Sequence, residues 1–303
     1  MHRGESVPPR CAMLEVMNTS FRLDPLPRGV IVAATPLGNI GDASARLMQA
    51  LEHADIVAAE DTRRARNLAQ ALGIEIRGKV VSNFDHNEEG RAAQLVEAAR
   101  SGTVLVVSDA GMPLVSDPGH SIVAAAVEAG VPVTCFPGPS AVPTALALSA
   151  LGVGHFLFDA FAPRKAGPRE AWLESLRGEK RAIVFFESPH RLAQTLSDAA
   201  AVLGEDRPAA VCRELTKTYE EVKRGSLGEL AKWAEDNARG EITVVIEGGE
   251  EVPSSLEELV DKVQRRVADG VRAKDACKEV AEGTPVSNRE LYDAFLSARD
   301  GEK

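Results

Sequence analysis

The chain reads as two successive α/β domains followed by a small helical module, and three patterns point there. From residue 29 to 148, apolar strand-like runs alternate with helical stretches; from about 154, strands follow one another without a helix between them; beyond 256, only helical spacing remains. Strands apolar along their whole length and alternating with helices belong to a parallel sheet covered on both faces. Strands that follow one another directly pair antiparallel, so the second sheet is mixed. The expected division is an extension over 1–27, a first α/β domain over 28–152, a second over 153–249 and a helical module over 254–303.

Each element follows from local pattern. Residues 1–27 are polar, carry Pro8, Pro9, Pro25 and Pro27 and show no period, which marks a poorly ordered extension with Met13 and Met17 as alternative starts. Strands are expected at 29–34, 55–59, 79–82, 103–108 and 132–136, with helices at 42–53, 62–72, 88–100, 119–129 and 139–148 between and after them. In the second half, strands fall at 155–161, 182–187, 209–214, 219–225 and 242–247. Only three helices, near 168–176, 189–203 and 226–236, separate them. The stretch 247–261 holds six acids and no base and reads as a linker. Beyond it, Leu256, Leu259, Val260, Val263 and Val267 recur at helical spacing, and helices follow at 272–281 and 288–298. The short turn Glu282-Gly283-Thr284-Pro285 joins the last two as in a helix-turn-helix pair, and Ser287 with Glu290 forms a capping box.

Composition narrows the function classes. The 303 residues are 44% hydrophobic and 26% charged, enough for two modest cores, and no apolar run approaches the ~18 residues of a membrane span. No signal peptide is visible, so a cytoplasmic protein without a membrane role is expected. Cys11, Cys135, Cys212 and Cys277 are far apart and lack metal-ligand spacing, which implies reduced, mostly core cysteines and no metal. The net charge of −10 argues against coating nucleic acid by bulk electrostatics. A nucleic-acid partner must meet a local patch, and 162–191 supplies one: seven cations, among them Arg164, Lys165 and Arg191, against four acids, a net of +3.

Three loops after strands are rich in Gly and Pro: TPLGNIGD (35–42), SDAGMPLVSDPG (108–119) and PGPSA (137–141). In an open parallel sheet, ligands bind beyond the carboxyl ends of the strands, and these loops share that edge. None is GxGxxG or GxxxxGK[ST], so neither a dinucleotide site nor a P-loop is expected. Gly111 offers bare backbone where a ligand must approach closely.

Together ATPLGNIGD, AEDTRR, SDAGMPLVSDPG, PGPSA and FFESPHR resemble the tetrapyrrole-methylase-like methyltransferases that use S-adenosylmethionine. Within that family the strings are most similar to enzymes that 2′-O-methylate a cytidine of small-subunit (16S) ribosomal RNA near the decoding centre. The resemblance runs from about Gly29 to Gly248. It implies two α/β domains with S-adenosylmethionine in the cleft between them, a homodimer, and small-subunit ribosomal RNA or the 30S particle as partner. Carried over by position, it implies cofactor contacts at Pro36, Leu37, Asp109, Met112, Ser140 and Ala141, with Phe186, Cys212 and Thr243 from the second domain.

Methyl transfer from a sulfonium is an in-line displacement that alignment and exclusion of water favour. A ribose 2′-hydroxyl also needs its proton shared with a base, for which Glu60, Asp61, Glu187 and His190 are candidates. Asp61 is preferred because it ends a strand beside Arg63, a phosphate or carboxylate clamp; equally, Asp61 is placed to cap the helix that starts at Thr62. Arg63, Arg64, Arg164, Lys165, Arg191, Lys274 and Lys278 are the candidate RNA contacts, the last two being four apart on one helix. The rival functions are a small-molecule methylase of the same fold and a non-catalytic S-adenosylmethionine sensor. EDTR and the terminal helices favour RNA over a small substrate.

Overall fold

The computed structural model describes residues 23–83, 88–249, 256–281, 284 and 286–301. Cys11, both alternative starts, linker residues 250–255 and three of the four residues of the 282–285 turn lie outside them. The described chain divides into two compact units: Met1–Thr144 with Glu214–Glu220, and Ala145–Arg213 with Glu221–Lys303. The division falls inside a helix, and the connection 214–220 counts with the first unit although its flanking strands belong to the second.

In the first unit, strands β1 (Gly29–Ala33), β2 (Ile56–Ala59), β3 (Lys79–Ser82), β4 (Thr103–Val107) and β5 (Val133–Phe136) form one sheet in the order β3-β2-β4-β1-β5, every pair parallel. The uniformly apolar sequences GVIVA and TVLVV give strands buried at every position, because helices cover both faces. Helices α1 (Ala45–His53) and α2 (Thr62–Ala71) lay Leu47, Ala50, Leu51 and Ala65 on the face made by Ile31, Ala33, Leu105 and Val107. Helices α3 (Glu88–Ala99) and α4 (His120–Glu128) lay Leu95, Val96, Ile122 and Ala126 on the opposite face, with Val30, Val104 and Val106. Ser44 caps α1 by accepting from Leu47 N at 3.0 Å. Residues expected to belong to the extension are anchored here: Pro27 O accepts from Thr103 Oγ1 (2.9 Å), Asp24 O accepts from Gln49 Nε2 (2.8 Å), and Leu26 packs on the core. Cys135 corrects the expectation of a core cysteine, since it is exposed on β5, an edge strand with a single neighbour.

Helix α5 (Ala141–Ser149) spans the division. Strands β6 (Phe156–Phe161), β7 (Ala182–Glu187), β8 (Pro208–Arg213), β9 (Glu221–Ser226) and β10 (Ile242–Ile246) form the second sheet, in the order β6-β7-β10-β8-β9. Only β6 and β7 are parallel, so the sheet is mixed. Helices α6 (Ala166–Ser175), α7 (Pro189–Leu203) and α8 (Leu227–Asn237) bury Leu173, Leu192, Leu196, Leu227 and Leu230 against Ile183, Phe185, Val211 and Val244. The alternate residues point the other way, and there Phe186, Thr243 and Cys212 stand side by side across β7, β10 and β8. Cys212 is buried, its Sγ 3.9 Å from Ala145 O. The terminal helices α9 (Leu256–Ala268), α10 (Ala273–Ala281) and α11 (Asn288–Gly301) bury Leu259, Val263, Cys277, Leu291 and Phe295 together. Ser287 Oγ accepts from Glu290 N at 3.2 Å, the first half of the expected capping box. Among the described residues no helix is long and apolar enough to cross a membrane.

Candidate active site

The strand order locates a crevice. From β1 the chain crosses to β2 through α1 on one face of the first sheet; from β4 it crosses to β5 through α4 on the other face. β1 and β4 are neighbours, so the loops leaving their carboxyl ends diverge, which is the topological switch point where open α/β sheets bind ligands.

The two loops are welded just beyond the sheet. Thr35 and Gly111 form an isolated antiparallel bridge, Thr35 N to Gly111 O at 2.9 Å and Gly111 N to Thr35 O at 3.0 Å. The buried Thr35 hydroxyl donates to Ser108 O at 3.3 Å. Gly111 sits at φ +81°, and a Cβ there would lie 3.1 Å from Leu37 Cδ2, 3.7 Å from Pro139 O and 4.0 Å from Ser140 Cα. All three loops singled out in the sequence therefore converge on one glycine. Pro36 is buried, while Leu37, Met112, Ser140 and Ala141 are half-buried around it. Farther along the second loop, Leu114 and Ser116 hold positive φ of 70° and 66°, a strain that concentrates at functional loops.

The loop after β2 is tied in by reciprocal hydrogen bonds. Asp109 N donates to Glu60 Oε2 (3.2 Å), and Asp61 N donates to Asp109 Oδ1 (3.1 Å). The other Asp109 oxygen pairs with Arg64 Nε at 3.4 Å. Asp61 is the N-cap of α2: its Oδ1 accepts from Arg63 N at 2.7 Å, and its Oδ2 pairs with Arg63 Nη2 at 2.9 Å. Those bonds, the Arg63 side chain first and its backbone N–H second, hold the carboxyl down at about 2. Arg63 and Arg64 stay exposed at the same sheet edge.

A contribution that sequence reasoning missed comes from 214–220. Thr216 Oγ1 accepts from Asn39 N at 3.3 Å, and the Lys217 side chain lies against Gly38, where a Cβ would be 2.2 Å from Lys217 Cγ. No local signal announces it, because RELTKTYEE reads only as the turn of a hairpin.

The remaining candidates sit in the second unit. Glu187 is fully buried; it accepts from Ser188 N (2.7 Å) and Thr195 Oγ1 (2.7 Å) and pairs with Arg191. Arg191 also donates to Ala162 O (3.1 Å), and the buried Arg169 donates to Pro163 O, Arg164 O and Asp198. Two arginines of the basic segment thus fasten the 162–165 turn, and Arg164 and Lys165 remain exposed on it. His190 is exposed in the first turn of α7, Phe186 packs edge-on against Phe158 and Phe161, and Thr243 is buried. Lys274 and Lys278 are exposed on α10.

Comparison with known proteins agrees with this architecture. The family model for tetrapyrrole (corrin/porphyrin) methylases matches residues 29–231. The chain is 57% identical to ribosomal RNA small subunit methyltransferase I of Mycobacterium tuberculosis, covering 89% of this chain and 95% of that one. It is 41% identical to the protein of the same name from Halalkalibacterium halodurans, over 87% and 93% of the two chains. In fold it is similar to uroporphyrin-III C-methyltransferase of Thermus thermophilus, a structure complexed with S-adenosyl homocysteine (TM-score 0.51, 17% identity, 72% of this chain and 97% of that one). With the parallel sheet, the welded switch-point loops and these relatives in agreement, the chain belongs to the tetrapyrrole methylase family, among its ribosomal RNA small subunit methyltransferase I members.

Proposed function

We propose that the protein transfers a methyl group from S-adenosylmethionine to the ribose 2′-oxygen of a cytidine in small-subunit ribosomal RNA near the decoding centre. The observation that carries this is the convergence of three loops on Gly111 at the switch point, with Arg63 and Arg64 exposed at the same edge. The names of the relatives support the RNA, and the motif resemblance supports the cytidine and its 2′-oxygen. In this reading the protein is a cytoplasmic homodimer, which sedimentation of the full chain tests.

The residues present fit S-adenosylmethionine, the methyl donor. Gly111 offers bare backbone, Leu37 and Met112 offer half-buried apolar surface, and the first turn of α5 offers N–H groups of Ala141 and Val142 that no helical carbonyl can satisfy. Pro36, Leu37, Asp109, Gly111, Met112, Ser140 and Ala141 would hold it. When bound, it supplies an electrophilic methyl group.

The chain's own work is alignment. Holding the hydroxyl oxygen in line with the methyl carbon in a dry site contributes on the order of 7–11 kcal/mol; as the oxygen–methyl bond forms and the sulfur–methyl bond breaks, the hydroxyl proton passes in this proposal to Glu60, the other candidate base at this edge. Asp61 has a positioning role in this proposal: a carboxyl at about 2 is a weak proton acceptor at neutral pH, and its lone pairs already hold Arg63 and the start of α2. Arg63 and Arg64 meet the RNA phosphates.

The test is transfer of a labelled methyl group to small ribosomal subunits lacking the modification, followed by nuclease digestion and mass mapping. A single 2′-O-methylated cytidine is expected. Label on a base, or label on uroporphyrinogen and none on RNA, overturns the proposal.

A further inference from the structure

The connection Glu214–Glu220 is built as a rigid bracket. Thr216 N donates to Glu220 Oε2 (2.6 Å), Lys217 Nζ to Glu214 Oε1 (2.8 Å), Lys217 N to Glu214 O (3.0 Å) and Glu220 N to Lys217 O (3.0 Å). Glu214 and Thr216 hold φ of +52° and +65°, a costly backbone for residues with side chains, which persists only where the surroundings determine it. The bracket is seated on the loop after β1 through the Thr216–Asn39 hydrogen bond and the Lys217 stem over Gly38. Its last turn carries Tyr219, which at 76% relative exposure is the most exposed large hydrophobic side chain among the described residues.

A tyrosine ring left in water at the end of a braced loop contributes nothing to a core. The backbone that carries it is braced on both sides, so little backbone freedom is lost when a flat ligand covers the ring. The loop that carries the bracket starts at the switch point, and the cations Arg63 and Arg64 stand at that same carboxyl edge. An exposed aromatic on a bracket seated against the β1 loop, with cations at the same carboxyl edge, is a combination that takes unpaired nucleotides, the ring stacking on the base and the cations meeting phosphates.

The geometry points to Tyr219 as a stacking platform for an unpaired base of the RNA substrate, a residue for substrate binding that none of the three cofactor loops itself supplies. This rests on the RNA reading above. The test compares wild type, Tyr219→Ala, Tyr219→Phe and Tyr219→Trp in the full chain. KM and kcat are measured on unmodified small subunits, S-adenosylmethionine affinity by calorimetry, and quenching with a single-stranded RNA carrying 2-aminopurine. Tyr219→Ala should raise KM about ten- to a hundred-fold and abolish the quenching, with cofactor affinity and melting temperature unchanged. Phe and Trp should restore both. An unchanged KM in Tyr219→Ala overturns the inference, and so does failure of Phe to rescue, which would assign the role to the hydroxyl. Wild type that methylates no RNA would instead defeat the functional reading, and the stacking role with it.

Discussion

Gly111→Val attacks the point where three loops meet, and its consequences can be worked from the geometry. At φ +81° any residue with a Cβ costs ~1–2 kcal/mol in backbone strain alone. The added atom would also lie 3.1 Å from Leu37 Cδ2, tighter than ordinary contact, so Leu37 must give way; the further methyls of valine press toward Pro139 and Ser140. Gly130 is the control. It too is left-handed, at φ +65°, but a Cβ there meets nothing within 4 Å. Gly111→Ala and Gly130→Ala should therefore share a similar strain and a melting temperature lowered by a few degrees. They should part company in cofactor binding: Gly130→Ala binds S-adenosylmethionine like wild type, Gly111→Ala loses at least about tenfold (~1.4 kcal/mol), and Gly111→Val shows no binding heat. Titration calorimetry on the folded variants reads this directly. Unchanged affinity in Gly111→Val would refute the assignment of this edge as the cofactor site.

Asp61→Ala should lower the melting temperature through the lost cap, and Asp61→Asn, which can still cap, should keep both cofactor affinity and a near-normal rate; a rate collapse in Asp61→Asn with the fold intact would restore the residue as the base. Because folding depresses the Asp61 carboxyl to about 2, its contribution to stability is present above the ordinary range near ~4 and is lost as pH falls through about 2, so the gap between wild type and Asp61→Asn in acid unfolding should close across that window. Glu187→Ala should cost ~3–5 kcal/mol in urea unfolding, because Arg191 and the Thr195 hydroxyl lose a fully buried partner; a loss under ~1 kcal/mol would show the site to be wetter than its burial implies. Reversing Lys274 and Lys278 to Glu should leave cofactor binding intact and flatten the salt dependence of substrate affinity by about 1.4–1.8 in slope, whereas an unchanged slope together with a shift from dimer to monomer would make the helical module a packing element.

What the sequence made legible and what it hid differ in the range of the contacts involved. Strands such as TVLVV and helices such as α7 announce themselves because burial is written into every residue or every third to fourth one, so their bounds fall within a few residues of expectation. The three switch-point loops were legible for a related reason: Gly and Pro mark backbone that no ordinary residue adopts, and Gly111 at φ +81° is such a case. Roles of charged residues were far less legible. FFESPHR offers Glu187 and His190 as candidate bases and Arg191 as a candidate RNA contact, yet the fold buries Glu187, uses Arg191 to hold the 162–165 turn and leaves His190 in solvent. Asp61 looked like both base and cap, and the 2.7 Å bond to Arg63 N that makes it the cap became visible only in the folded backbone.

The bracket at 214–220 shows the limit most sharply. Its hydrogen bond partner, Asn39, lies 177 positions earlier, and no local period can encode a contact at that separation. The strain at Glu214 and Thr216 was equally silent, since neither is the glycine or asparagine that usually marks a left-handed turn. A backbone that keeps two unfavourable residues must be held in place, and here its own internal bonds are joined by the Thr216–Asn39 bond to the loop that begins at the switch point. Relaxing the bracket should therefore disturb what that loop binds before it disturbs the sheet. Thr216→Val removes the acceptor for Asn39 N while keeping a β-branched shape, and it should weaken substrate methylation more than it lowers the melting temperature.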